Sequence, residues 1–119
     1  MTQCLIVDGS QSDRQDMESL LASYGFELDS VSDAEAALER CRSRMPDVLL
    51  ISRRLGALDP VSLIKRLGKR ARPPVVFIYG DEQDPEAIGR AIWEGASAWL
   101  MKPFDAEILD LRLRQAGVI

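Results

Sequence analysis

The chain has 119 residues, 46% hydrophobic and 29% charged, which fits one globular domain with a real core and leaves little over for a second. Its formal net charge of −4 and pI near 4.8 argue against nonspecific nucleic-acid binding. There is no histidine, so Ser-His and Cys-His nucleophile pairs and a histidine phosphocarrier are excluded.

Met1-Thr2-Gln3 leads straight into the apolar run Cys4-Leu5-Ile6-Val7, the first expected strand. No basic region or cleavage-like site precedes it, and no apolar run approaches the roughly 18 residues of a membrane span, so a cytoplasmic location is expected. Ser12 with Gln15 reads as a capping box opening a helix over Asp13 to Tyr24, stopped by Gly25. Phe26 to Val31 alternates imperfectly and suits an edge strand. Ser32 with Glu35 opens a helix over Asp33 to Arg44, and Pro46 follows its end. Val48 to Ile51 is a continuous apolar run, as expected of a strand buried on both faces. Asp59 and Pro60 supply an N-cap and a first-turn proline for a helix to Arg70. Arg70-Ala71-Arg72-Pro73-Pro74 reads as a loop before the fourth strand, Val75 to Tyr79. Asp84-Pro85 repeats the capping device, and Gly95 closes that helix. Trp99-Leu100-Met101 is the fifth strand; Asp105 caps a last helix to about Gln115, with Gly117 beyond.

Strand and helix alternate five times with short connections. Right-handed crossovers then require an α/β fold, a parallel sheet with helices on both faces. In such sheets sites lie outside the C-terminal strand ends. That selects Asp8 to Ser10, Ser52 to Arg54, Tyr79 to Asp81, and Lys102 with Pro103.

Three segments carry a resemblance: Cys4 to Asp8, Met45 to Ile51, and Gly95 to Phe104, which ends in Lys-Pro-Phe after Gly-Ala and an aromatic. The whole chain resembles response-regulator receiver domains, most of all the chemotaxis-type, single-domain (CheY-like) members. The resemblance implies a flavodoxin-like (βα)5 fold with a five-stranded parallel sheet in the order 2-1-3-4-5. It also implies a mechanism. An acidic pair after the first strand holds magnesium. An Asp ending the third strand takes a phosphoryl group from a phosphohistidine. A Thr or Ser ending the fourth strand turns toward that group, and a Lys ending the fifth strand binds it. An aromatic shortly before the Lys then changes rotamer and alters the surface of the fourth helix, fifth strand and fifth helix.

On this sequence Asp8 matches the first acid, and Gly9 stands where the second is expected. Ser52 stands at the phospho-acceptor position, Tyr79 at the switch hydroxyl and Trp99 at the aromatic, while Lys102 and Pro103 are retained. The loop after the third strand has become Leu55-Gly56-Ala57-Leu58-Asp59-Pro60, preceded by the cations Arg53 and Arg54.

These departures have physical consequences. Serine cannot form an acyl phosphate and is a poor nucleophile without an adjacent base. Magnesium is held mainly through carboxylates, and two of the three expected here are gone. The expectation is therefore no metal, no cofactor and no catalytic residue, with Asp8 paired directly to Lys102 and Arg54 as a further cation. Tyr79 is expected to pack against Trp99.

Plainer readings stand beside these. Lys102 alone is a solvated lysine, and Trp99 alone is core. Trp93 is either core or a partner anchor. The run Lys65-Arg66, Lys69-Arg70, Arg72 is either a solvated face or an anion-binding patch. Cys4 and Cys41 read as buried thiols.

Functionally, the leading reading is a non-enzymatic receiver without a phospho-acceptor. It acts as a phosphorylation-independent interaction module and binds a histidine kinase, phosphotransferase or output protein through the fourth helix, fifth strand and fifth helix. It is expected to be a monomer or weak homodimer, with no specific nucleic acid or membrane partner and no output domain attached after Ile119. A second reading is a small-molecule sensor binding a phosphate-rich second messenger through its arginines. A third is a flavodoxin-like cofactor carrier, for which the first loop has only one glycine.

Overall fold

Five apolar runs form five parallel strands in the order β2-β1-β3-β4-β5. The computed structural model describes residues 1–56, 58–81 and 84–119; Ala57, in the loop singled out above, lies outside them. The strands are β1 (Gln3–Val7), β2 (Glu27–Val31), β3 (Val48–Ser52), β4 (Val75–Gly80) and β5 (Ala98–Met101). The helices are α1 (Gln11–Leu21), α2 (Ala34–Ser43), α3 (Pro60–Leu67), α4 (Pro85–Trp93) and α5 (Ala106–Gln115). The expected fold class and strand order are those observed.

Strands β1 and β3 are buried along their whole length, which is why both read as unbroken apolar runs. Strand β2 lies at the edge, and none of its five residues is fully buried. Side chains alternate between two cores. Leu5, Val7, Leu49, Ile51 and Ile78 pack with Ala37, Leu38, Leu63 and Ala91 of α2, α3 and α4. Cys4, Ile6, Leu50, Phe77, Tyr79 and Leu100 pack with Met17, Leu21, Leu109 and Leu113 of α1 and α5. Fully burying each such aliphatic or Phe side chain is worth roughly 1.5–3 kcal/mol.

Helix starts follow capping residues, with two corrections. Asp33, Asp59, Asp84 and Asp105 each accept a backbone N–H of the first turn. For α2 the cap is Asp33, not Ser32, so the helix begins at Ala34, one residue later than expected. For α1, however, the cap is Ser10, not Ser12: its hydroxyl accepts from the Asp13 N–H at 3.2 Å. The cause lies one step upstream. Asp8 Oδ1 accepts the Ser10 N–H at 2.9 Å and turns the chain immediately after β1, so the helix begins two residues early. At its far end, α1 tightens into a 3-10 turn (Ala22–Tyr24) before Gly25 adopts φ 73°. Helix α3 is shorter than expected. It stops at Leu67 because Gly68 takes φ 75°, so Lys69 and Arg70 fall in the loop. Cys4 and Cys41 are buried free thiols. No helix among the described residues is long and apolar enough to cross a membrane.

Candidate functional site at the C-terminal strand ends

The parallel sheet brings the C-terminal ends of β1, β3, β4 and β5 to one edge, and a cavity of about 410 Å³ opens there. Asp8, Gly9, Ser52, Arg53, Arg54 and Lys102 all line it, so the candidates singled out in the sequence meet at one place. Asp13 and Asp81 line it too. Among the described residues, three carboxylates thus face three cations.

Asp8 is 2% exposed, and its carboxylate has two internal donors. The Tyr79 hydroxyl donates to Oδ2 at 2.7 Å, and the Ser10 N–H donates to Oδ1. Arg14 Nη1 donates to the Asp8 carbonyl at 2.8 Å. The Tyr79 side chain is itself 1% exposed. Burial, and after it the hydrogen bond to Asp8, pushes the phenol well above its ordinary value, so at neutral pH it remains an O–H donor. A buried hydroxyl facing a buried carboxylate satisfies both groups, where either alone carries a desolvation penalty.

The expected Asp8–Lys102 pair is not formed. Lys102 Nζ instead lies 3.3 Å from Asp13 Oδ2 and 5.4 Å from the centroid of the Tyr79 ring. The reason is steric and chemical at once: Tyr79 already covers the Asp8 oxygen, and Asp13, in the first turn of α1, stands within reach of the lysine. Arg54 does not join Asp8 either. Its guanidinium lies 3.4 Å from Asp81, while its backbone N–H donates to the Ser52 hydroxyl at 3.1 Å.

Tyr79 and Trp99 are also apart. In the β4–β5 register Tyr79 pairs with Leu100 and Ile78 with Trp99, so alternation sends the two rings to opposite faces of the sheet. Tyr79 packs edge-on to Phe104, with centroids 6.3 Å apart. Trp99 packs against the α2–α3–α4 core, and its indole N–H is buried without a hydrogen-bond partner among the described residues. Trp99 also borders a second groove of about 650 Å³, with Arg53, Arg54, Lys65 and Arg90. Gly80 allows a close approach of β3 to β4: a Cβ there would sit 2.7 Å from the Arg53 Cβ. Pro103 follows Lys102 through a cis peptide.

Sequence reasoning missed Asp13 and Arg14; it selected Asp81 as part of a strand end without giving it a partner, and read Phe104 only as part of the Lys-Pro-Phe segment. One available signal was parity: Tyr79 and Trp99 occupy opposite phases of adjacent parallel strands. The Asp13 contact depended on the true cap of α1.

The chain matches the response regulator receiver domain over residues 4–114. It is 32% identical over 102 residues to the DNA-binding transcriptional regulator NtrC of Escherichia coli (strain K12), covering 86% of this chain and 22% of that protein. With the sensory transduction protein RegX3 of Mycobacterium tuberculosis it shares 30% identity over 115 residues, 96% of this chain and 50% of that one. The chain therefore spans half or less of these curated relatives. Among solved structures, the chemotaxis protein CheY4 of Vibrio cholerae superposes with a TM-score of 0.86 at 26% identity, covering 97% of this chain and 98% of that one. The beryllofluoride-activated NtrC4 receiver domain dimer, at 22% identity and a TM-score of 0.88 over 98% and 96% of the two chains, shares the fold. By sequence over nearly its whole length, and by strand order, this chain belongs to the response regulator receiver domain family of two-component signalling.

Proposed function

We propose that this receiver works without accepting a phosphoryl group, as a protein-interaction module of a two-component pathway. Ser52 stands where the family resemblance puts the phospho-acceptor aspartate, and Gly9 where it puts the second acid. One observation carries the reading: the Asp8 carboxylate is occupied from inside the protein by the Tyr79 hydroxyl and the Ser10 N–H. Among the described residues the Ser52 hydroxyl has no carboxylate base as a hydrogen-bond partner; it accepts the Arg54 N–H.

The donor set also does not suit the magnesium that the family resemblance implies. A magnesium ion wants several free oxygens in near-octahedral array. Here Asp13 faces Lys102 and Asp81 faces Arg54. No group of three metal-ligating side chains occurs among the described residues. The internal cations supply the charge balance and the Tyr79 hydroxyl hydrogen-bonds the Asp8 carboxylate, and no phosphoryl-transfer step is assigned to the site.

Partners on this reading are a histidine kinase, a phosphotransferase or an output protein, met through α4, β5 and α5. Ile92, Met101, Ile108 and Leu111 on those elements are exposed large apolar side chains, the kind of surface a partner covers. The test is a titration with magnesium and beryllofluoride, read by melting temperature and by NMR. The expected result is no shift in melting temperature and no perturbation near Ser52. A saturable response, which would reach about 2.7 kcal/mol at 100 times the dissociation constant, overturns the reading.

The sensor reading keeps one supporting observation. Arg53, Arg54, Lys65 and Arg90 border the groove beside Trp99. Stoichiometric binding of a nucleotide that is lost when Arg53 and Arg54 are changed to Ala would establish it in place of the first.

A further inference from the structure

The end of the sheet away from the Asp8 pocket carries a different kind of surface. Between Pro60 and Gly80 the chain has Lys65, Arg66, Lys69, Arg70 and Arg72 and not one acid, although it holds 19 acids against 15 cations overall. Lys65 lies 3.6 Å from Glu94, and Arg66 lies 3.3 Å from Glu35. Lys69, Arg70 and Arg72 are exposed and make no hydrogen bond or ion pair among the described residues.

Beside these cations lies a groove of about 630 Å³, lined on its apolar side by Ile64, Leu67, Pro73, Pro74, Val76 and Trp93. Trp93, at the last turn of α4, is 88% exposed and has no ring contact among the described residues. An indole left in water forgoes the burial that usually accounts for a tryptophan. Tryptophan is instead enriched where a partner covers it. Prolines beside it present a stiff apolar wall that loses little freedom when covered.

We propose that this groove, between the C-terminal ends of α3 and α4, docks an acidic peptide segment that carries a large apolar side chain. The apolar side chain packs against Trp93 and Pro73-Pro74, while flanking carboxylates meet Lys69, Arg70 and Arg72. Arginine favours carboxylates through paired N–H donors. A polynucleotide is the weaker occupant: the groove is apolar, and the acids of the remaining chain repel a dense line of phosphates at long range. The site shares no lining residue with the Asp8 pocket, so either assignment can fail without the other.

The Trp99→Phe variant leaves Trp93 as the sole indole and reports the groove by its fluorescence. The probe is a labelled peptide of aspartates and glutamates around a central Phe-Leu pair, and an Ala-Ala peptide and an oligothymidylate of matched charge are the controls. The expected result is saturable binding that shifts Trp93 emission. Binding should weaken roughly tenfold or more in the Ala-Ala peptide, in Trp93→Ala read by anisotropy, and in Lys69→Glu/Arg70→Glu. These variants change exposed side chains, and an unchanged thermal melt verifies that they fold. Absence of saturable binding, equal affinity for the Ala-Ala peptide, or tighter binding of the oligothymidylate overturns the proposal.

Discussion

The two ends of the sheet carry charges arranged to opposite effect. At the C-terminal strand ends, Lys102 faces Asp13, Arg54 faces Asp81, and a phenol covers the buried Asp8 carboxylate. At the other end, Lys69, Arg70 and Arg72 stand without ion-pair partners among the described residues, beside an exposed indole. Charge matched inside the fold holds the backbone and side chains in place; charge left unmatched is available to something outside. On the proposed reading, the C-terminal strand ends are the structural end of this molecule and the opposite end is its binding surface.

Substitution should separate the ends sharply. Tyr79→Ala removes a ring that is 1% exposed, opens a cavity under α1 and α5, and strips Asp8 of a donor. A loss of roughly 3–5 kcal/mol is expected. Trp93→Ala at the other end should stay within about 0.5 kcal/mol. Urea denaturation of both variants measures the contrast, and equal losses would erase it.

Alkaline pH should act mainly through the buried groups Cys4 and Tyr79. Burial first, and the Asp47 charge second, pushes the Cys4 thiol from its ordinary 9.0 up to about 12. The Tyr79 phenol is raised from its ordinary 10.0. For groups raised in this way, the stabilisation is complete below the unfolded value and disappears as pH rises through the folded one. Stability should therefore hold to about pH 9 and fall by about 1–3 kcal/mol by pH 11. Cys4→Val should flatten that slope, and an unaltered slope would show that the thiol is not its source.

The smallest effect belongs to Lys102. Its pair with Asp13 is over a third exposed on both sides, so Lys102→Met should cost less than about 1 kcal/mol, and less again at high salt. A loss as large as that of Tyr79→Ala would mean that the lysine, rather than the phenol, organises the pocket.

Much of this was legible in the sequence because it is local. Asp59-Pro60 and Asp84-Pro85 start helices by satisfying backbone N–H groups a few residues away. The unbroken runs of β1 and β3 declare strands covered on both faces. The site's membership was legible for the same reason: parallel strand ends collect at one edge, and Asp8, Ser52 and Lys102 each end a strand or directly follow one.

The partners of those residues were not legible. Whether Asp8 meets Lys102 or Tyr79 depends on which face each side chain takes and on where α1 begins, and a one-residue change reverses either. The Ser10 cap placed Asp13 toward Lys102, and the β4–β5 register separated Tyr79 from Trp99. By itself, then, the sequence determined the order of elements, the aspartate caps of α3, α4 and α5 and the edge at which the site assembles, since each is a matter of near neighbours along the chain. Only the tertiary structure decided which charges meet and which are left to solvent, because that depends on register and side-chain phase between segments as far apart as Asp8 and Tyr79.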